Sequence, residues 1–154
     1  MTKHLLRTLL LLLFPVLWSC GDDDDDNDTD DMDPKNLVIT EGDYVGRWVS
    51  TADVQSFNVA ISAKISEASS GKFSGQFFIS SNFTSCCNSG ADDGTITFNV
   101  SEDKISSFIW DDVIPNCEGT FTGEGTIIGE DSFRIDFTGN DCDGDHTGSL
   151  TLSK

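Results

Sequence analysis

Apolar and polar side chains alternate with a period of two residues along most of the chain after residue 42. In the segment 54–66, Phe57, Val59, Ile61 and Ala63 fall on one face. This alternation predicts β-strands with one buried face, and long segments with helical spacing are absent after residue 19. Eight strands are predicted, over residues 43–50, 54–66, 72–80, 94–100, 104–111, 118–128, 131–139 and 146–153.

The short gaps between these strands predict an all-β fold, an antiparallel meander in which each strand pairs with the next. One apolar face per strand indicates a closed barrel, with a small β-sandwich as the alternative. Closure is favoured because it removes the exposed edges that invite aggregation. The segment 104–111 is ambiguous, because Phe108 and Trp110 alternate against Ile105 and Ile109.

The hairpin 118–139 allows two registers. A two-residue loop at Gly129-Glu130 would place Cys117 opposite Cys142 but would set apolar residues against polar ones. A three-residue loop would pair Phe121 with Phe137 and Gly123 with Ile135. Because register follows the buried face, we expect the second arrangement.

The first 19 residues have the features of a secretory signal peptide. A basic start is followed by an apolar run of about a dozen residues, which is short of the roughly 20 that a membrane-spanning helix needs. The run ends in "LWSC", residues 17–20, which resembles the lipobox of bacterial lipoproteins. The resemblance implies that Cys20 becomes the new N-terminus and carries diacylglycerol and a further acyl chain such as palmitate.

Residues 20–40 are expected to form a disordered tether. Nine aspartates lie between Asp22 and Asp33 with no basic residue among them, and such a segment cannot bury apolar surface. An acidic run directly after the lipidated cysteine also resembles the surface-export signals of Bacteroidota lipoproteins. The resemblance implies a lipid-anchored protein in the outer membrane, exposed at the cell surface, and the plain spacer remains the alternative.

Residues 41–154 are expected to form the folded domain. They carry 18 acidic and six basic residues, a net charge of −12 within a chain total of −18. Nucleic acid is excluded as a partner, because phosphate binding needs a basic surface. The expected partner is the membrane, through the lipid, and a monomer is expected.

The segment "YVGRW", residues 44–48, resembles the Gly-x-Trp signature of lipocalins and of lipocalin-like bacterial lipoproteins. The resemblance implies that Gly46 and Trp48 take the motif positions, that Trp48 closes the base of the barrel, and that the cavity takes a small apolar ligand. The domain is short for that family, and the helix that usually packs on the barrel is absent from the predicted elements.

A meander sorts the charged residues between the two ends of the barrel. Loops after strands 1, 3, 5 and 7 form an acidic end, which points away from the tether. Its aspartates are Asp53, Asp92, Asp93, Asp111, Asp112, Asp141, Asp143 and Asp145. At the opposite, basic end lie Lys64, Lys72, Lys104 and Lys154.

The alternating aspartates Asp141, Asp143 and Asp145 are the candidate metal ligands, since Ca²⁺ prefers several oxygen ligands. The match to an EF-hand loop is incomplete, because Gly144 and Leu152 occupy the wrong places. Ordinary solvated loop acids are the alternative.

Four further cysteines, Cys86, Cys87, Cys117 and Cys142, fall in loops of the acidic end. An even number in an exported chain favours disulfides. A bond between neighbours is disfavoured, so Cys86 and Cys87 are each expected to bridge to Cys117 or Cys142.

Catalysis is not expected, because the only histidine after residue 19, His146, would have to serve any Ser-His-Asp set. Three hypotheses follow. The barrel binds a small apolar ligand, or its acidic loops form a surface binding or adhesion module, or the protein is a structural envelope lipoprotein without a ligand.

Overall fold

The computed structural model describes residues 37–89 and 91–154, which form a closed eight-stranded barrel. Each strand is antiparallel to its neighbours, and β1 pairs with β8 to close the sheet. The all-β meander barrel predicted from the sequence is confirmed. The strands are β1 (Gly42–Ala52), β2 (Gln55–Ser69), β3 (Lys72–Phe78), β4 (Gly94–Ser101), β5 (Lys104–Asp112), β6 (Gly119–Gly129), β7 (Ser132–Asp141) and β8 (Gly144–Ser153).

The two ends of the barrel differ in the length of their connections. At the basic end, β2–β3, β4–β5 and β6–β7 are joined by the two-residue turns 70–71, 102–103 and 130–131. At the acidic end, β1–β2 and β7–β8 also have two-residue turns, but the β3–β4 loop spans 79–93 and the β5–β6 loop spans 113–118. The long connections therefore all lie at one end.

The inward faces of the strands fill the interior with side chains. Phe77, Phe98, Phe121 and Phe133 are almost completely buried together with several Ile and Leu residues. Eight strands enclose a space just wide enough for such side chains to fill. The packed side chains of the described residues therefore do not form the deep apolar cavity that the lipocalin resemblance implies.

A bulge in β5 resolves the ambiguous segment 104–111. The pairing of β5 with β6 shifts between Ile105 and Phe108, and Ser107 adopts a left-handed backbone with φ of 54°. The extra residue reverses the alternation, so Ile105 and Phe108 both face inward while Ile109 faces solvent.

The predicted register of the β6–β7 hairpin is wrong by two residues. Phe121 lies opposite Gly139, and Gly123 lies opposite Phe137. A register shift between Ile127 and Gly129 accompanies the two-residue turn at 130–131. The inward face is the predicted one, because a shift of two residues keeps every side chain on its own side.

The basic end is closed by residues before β1, which the sequence assigned to the tether. Ile39 is buried in the core, and the Asp131 carboxylate accepts hydrogen bonds from the Thr40 backbone N–H and hydroxyl, each at 2.8 Å. The Tyr44 hydroxyl lies 2.9 Å from the same carboxylate, and Lys154 Nζ lies 3.4 Å from it. The folded domain therefore begins by residue 37, not at residue 41.

The β3–β4 loop folds back over the outer face of β2 and β3. The backbone N–H of Phe83 donates to the Ser62 hydroxyl, and the Phe83 ring lies near Lys64. Lys64 therefore lies within β2 beneath this loop, whereas Lys72, Lys104 and Lys154 lie at the basic end as predicted.

The described part of the chain contains no helix that could cross a membrane. The predicted signal peptide, Cys20 and most of the acidic tether lie outside the described residues.

Candidate functional site

A pocket of about 130 Å³ opens at the acidic end of the barrel, above the packed interior. Trp48, Phe57 and Trp110 form part of its apolar wall. Three carboxylates and one imidazole contribute the polar groups of its lining, from Asp112, Asp141, Asp143 and His146. An apolar pocket with a few polar groups is the usual form of a small-molecule site, although this one is smaller than most.

Trp48 lies within an aromatic cluster. Its ring stacks on Phe137 at 3.7 Å between centroids and meets Trp110 and Phe121 edge-on, each at 5.0 Å. Trp48 therefore forms the floor of the pocket, and it does not close the basic end, where Ile39 and Tyr44 lie. Gly46 faces the Thr151 backbone so closely that a Cβ at this position would collide with it.

A chain of hydrogen bonds connects the floor of the pocket to its rim. Trp48 Nε1 donates to the Ser50 hydroxyl at 2.8 Å, Ser50 Oγ lies 3.0 Å from His146 Nδ1, and His146 Nε2 lies 3.1 Å from Asp141 Oδ1. Because Trp48 can only donate, the Ser50 proton is available for Nδ1 of the imidazole. In that arrangement Nε2 carries the hydrogen that Asp141 accepts, so the chain orients the Asp141 carboxylate.

This chain has the residue types of a Ser-His-Asp catalytic set, in Ser50, His146 and Asp141. His146 is the histidine that the sequence analysis named as the one available for such a set. Ser50 is only 2% exposed and is not among the residues that line the pocket. Its hydroxyl is also occupied by Trp48. We therefore assign this set a positioning role.

Asp112, the last residue of β5, is the most deeply buried carboxylate of the pocket, with 5% exposure. One carboxylate oxygen accepts a hydrogen bond from the Ile114 backbone N–H at 2.8 Å. Burial, with smaller contributions from the neighbouring carboxylates of Asp141, Asp93 and Glu118, raises the pKa of Asp112 to about 6, even though the hydrogen bond from Ile114 lowers it.

The predicted calcium ligands do not converge. Asp141 and Asp143 lie close together, and the Asp143 backbone N–H donates to Asp141 Oδ1 at 2.8 Å. Asp145 is exposed and lies outside this group, because it pairs with Asn140 on the outward face of β8. The other potential ligands of the group, the sulfurs of Cys117 and Cys142, are joined to each other. Two carboxylates supply too few oxygens for Ca²⁺, which takes six to eight ligands.

The remaining acids of this end have separate roles. Asp93 is fully buried and holds the β3–β4 loop, because its carboxylate accepts from the backbone N–H groups of Ile79 and Cys86 at 2.7 and 3.1 Å and from the Ser85 hydroxyl. Asp92 accepts from Gln76 at 2.9 Å. Asp53 lies beside Gly144, and Asp111 faces solvent.

The predicted disulfide pairing is wrong. Cys117 is bonded to Cys142, and Cys86 is bonded to Cys87. The observed register of β6 and β7 brings the residues just outside that hairpin together, with 4.6 Å between the Cα atoms of Cys117 and Cys142. The β3–β4 loop meanwhile folds onto the outer face of the barrel, so its two cysteines pair with each other.

Three larger hollows lie outside the barrel. One, of about 710 Å³, is a groove on the outer face of β5–β8 and includes Ser107, Glu124 and Thr147 in its lining. The second lies beneath the β3–β4 loop and is lined in part by Lys64 and Phe83. The third, of about 370 Å³, lies on the outer face of β1, β7 and β8. None of the three brings a buried ionisable group together with an aromatic wall, so the pocket at the acidic end is the candidate site.

Inward-facing positions were not assigned to Ser50, Asp112 or His146 in the sequence analysis, although alternation indicates one for each of them. Ser50 has the parity of Trp48, Asp112 has the parity of Trp110, and His146 has the parity of Leu150 and therefore faces inward.

Comparisons of the chain with protein families, with curated proteins and with solved structures give no match. The fold and the site alone therefore define its class. It is a closed eight-stranded meander barrel with a filled interior and a small aromatic and acidic pocket at one end.

Proposed function

We propose that this protein is a lipid-anchored binding protein of the bacterial cell envelope, which takes a small ligand into the pocket at the acidic end of its barrel. The observation that carries the proposal is the contrast between a filled interior and a pocket that contains a buried carboxylate. A packed barrel needs no ionisable group in its wall for stability, and burial of Asp112 is unfavourable without a compensating partner.

The size of the pocket limits the ligand. A volume of about 130 Å³ is well below the roughly 300–1,000 Å³ of typical ligand sites. We therefore propose a small molecule, or the end of a larger one, in place of the fully enclosed apolar ligand that the lipocalin resemblance implies.

Binding is tested through the indole N–H signals of the full chain, labelled with ¹⁵N-tryptophan and purified in detergent. Trp48 and Trp110 line the pocket, and they are the tryptophans that remain once the predicted signal peptide is removed. Small cationic, neutral and anionic probes are titrated separately. A saturable shift of Trp48 and Trp110 with any class supports the proposal. The absence of a shift with every class contradicts it and favours a structural lipoprotein.

Anchoring is tested by Cys20→Ala. The lipobox resemblance and the short apolar run support lipidation at this residue, and stable anchoring needs more than one acyl chain. The variant is expected to incorporate no fatty-acid analogue in growing cells, whereas the double variant Cys86→Ala/Cys87→Ala should be labelled like the parent. Equal labelling of the Cys20 variant would remove the anchor from the proposal.

Surface exposure is tested by changing Asp22–Asp26 to Ala. If this run is an export signal, the variant is expected to resist protease added to whole cells, while the parent is cleaved. The control changes Asp28, Asp30 and Asp31 to Ala, which removes charge without altering the residues nearest the cysteine. Cleavage of all three proteins at the same rate would make the run a plain spacer.

A further inference from the structure

We propose that the ligand group is a small alkylammonium, a protonated primary amine on a short apolar chain. The inference rests on the proposed function, because it names the class of ligand that this pocket takes. Its evidence is the charge, hydrogen-bonding capacity and shape of the pocket.

The pocket is negatively charged and contains no compensating cation. Asp112, Asp141 and Asp143 contribute carboxylates, and none of the Lys or Arg side chains of the described residues lines it. The charged groups that act on Asp112 from neighbouring segments are Asp141, Asp93 and Glu118, which are also acidic. A positively charged ligand would offset the unfavourable free energy of burying the Asp112 carboxylate, and it would also reduce the repulsion among these acids.

The carboxylate of Asp112 retains an unused acceptor. Asp112 is 95% buried, and among the described residues only the Ile114 N–H donates to it, at one of its two oxygens. Asp141 is held in place by His146 and by the Asp143 backbone. An ammonium group carries three donors, one of which would satisfy the second oxygen of Asp112.

The aromatic wall suits the same ligand. Trp48, Phe57 and Trp110 offer ring surface that attracts cations and also packs against methylene groups. Since one water in the liquid occupies about 30 Å³, the pocket holds a group about the size of four waters. This matches the ammonium and a few methylenes of a short alkylamine.

A metal ion fits less well. The closely spaced ligand atoms at this end include carboxylates of Asp141 and Asp143 but not that of Asp112, and the cysteine sulfurs among them are oxidised. Ca²⁺ would also gain nothing from the apolar wall. The site therefore favours an organic cation.

The test uses the full chain in detergent, with n-butylammonium as the probe and 1-butanol, butyrate and CaCl₂ as comparisons at equal ionic strength and pH 7.5. We expect n-butylammonium to shift the indole signals of Trp48 and Trp110 saturably, with at least tenfold tighter binding than 1-butanol.

The matched variants separate the site from overall charge. Asp112→Asn should weaken binding at least tenfold, whereas Asp111→Asn removes the same charge from the outward face of β5 and should change it less than twofold. Wild-type protein at pH 5 provides a second measurement that needs no variant. There Asp112 is mostly protonated, and binding should weaken about tenfold.

Equal binding of 1-butanol and n-butylammonium would overturn this inference and leave the proposed function in place. Equal losses in Asp112→Asn and Asp111→Asn, or indole shifts with CaCl₂ but not with n-butylammonium, would also overturn it. If no probe of any charge shifts Trp48 or Trp110, the proposed function fails as well.

Discussion

The Tyr44 hydroxyl lies 2.9 Å from Asp131 Oδ1 and joins two residues that are 87 positions apart in the chain. Burial and the adjacent Asp131 carboxylate raise the pKa of Tyr44, so the phenol stays protonated and remains a donor. The same carboxylate holds Thr40 and Lys154. This group fixes the segment before β1 across the basic end of the barrel.

The first prediction removes that hydroxyl. Tyr44→Phe should lower the free energy of unfolding of the full chain by about 1 kcal/mol, because one part-buried hydrogen bond is lost and the ring still packs. Urea denaturation measures the change. Thr122→Val, which removes an exposed hydroxyl from β6, is the control and should cost less. Equal stability of Tyr44→Phe and the parent would show that Thr40 and Lys154 hold the segment alone.

The second prediction concerns the disulfides. Peptide mapping without reduction should find Cys117 linked to Cys142. Cys117→Ser/Cys142→Ser should lower stability by about 3 kcal/mol, because that bond spans 25 positions and restricts the unfolded chain. Cys86→Ser/Cys87→Ser should cost much less, since adjacent residues enclose almost no loop. Equal losses in the two double variants would contradict the pairing.

The third prediction tests the bulge in β5. Ser107 has a positive φ, which costs a residue with a side chain about 1 kcal/mol or more. Ser107→Gly should therefore stabilise the protein by up to about 1 kcal/mol, offset in part by the greater freedom of glycine in the unfolded chain. Ser106→Gly, at a neighbour without positive φ, should destabilise it. If both glycines destabilise the barrel, the bulge is not at Ser107.

The fourth prediction is a pH dependence of stability. The pKa of Asp112 is about 6 in the folded protein and about 4 when unfolded, so the folded state binds the extra proton between these values. Its contribution makes the free energy of unfolding fall as pH rises from about 4 to 6, with a slope of at most about 1.4 kcal/mol per pH unit. Chemical denaturation across pH 4–7.5 measures the slope.

Asp112→Asn should flatten that dependence and stabilise the protein at pH 7.5, while Asp111→Asn should leave the slope nearly unchanged. Asp131 acts in the opposite direction. Burial favours its protonation, but hydrogen bonds from Thr40, Tyr44 and Lys154 outweigh burial and lower the pKa of Asp131. Its stabilising effect is complete above the unfolded pKa of about 4 and is lost as pH falls through the lower folded value. An unchanged slope in Asp112→Asn would show that other acids cause it.

The strands were predictable because alternation is a local property. Phe57, Val59 and Ile61 mark the inward face of β2 without knowledge of any partner strand. The register of β6 and β7 was not predictable, because two registers that differ by two residues bury the same face of each strand. The difference was decided by the turn at 130–131 and the irregularity after Ile127. The pairing of Cys117 with Cys142 depends on that register, so the same error changed both.

The pocket was predictable only in part. The sequence placed Asp112 and Asp141 at the same end of the barrel, but it treated them as loop acids of one kind. Whether Asp112 faces inward depends on which set marks the buried face at the end of β5, Phe108 and Trp110 or Ile105 and Ile109, and the bulge at Ser107 decides this. The long β3–β4 loop depends on Asp93, a single buried carboxylate whose partners are backbone groups without a sequence signature.

The unequal connections at the two ends bear on how this barrel can change over evolution. Each turn of the basic end has only two residues, at 70–71, 102–103 and 130–131. An insertion in one of these turns would therefore disturb the pairing of the two strands that it joins. The segments 79–93 and 113–118 surround the pocket and can lengthen or shorten while the strands keep their partners. Descendants of one ancestral barrel could thus diverge in what they bind while the turns of the basic end stay unchanged.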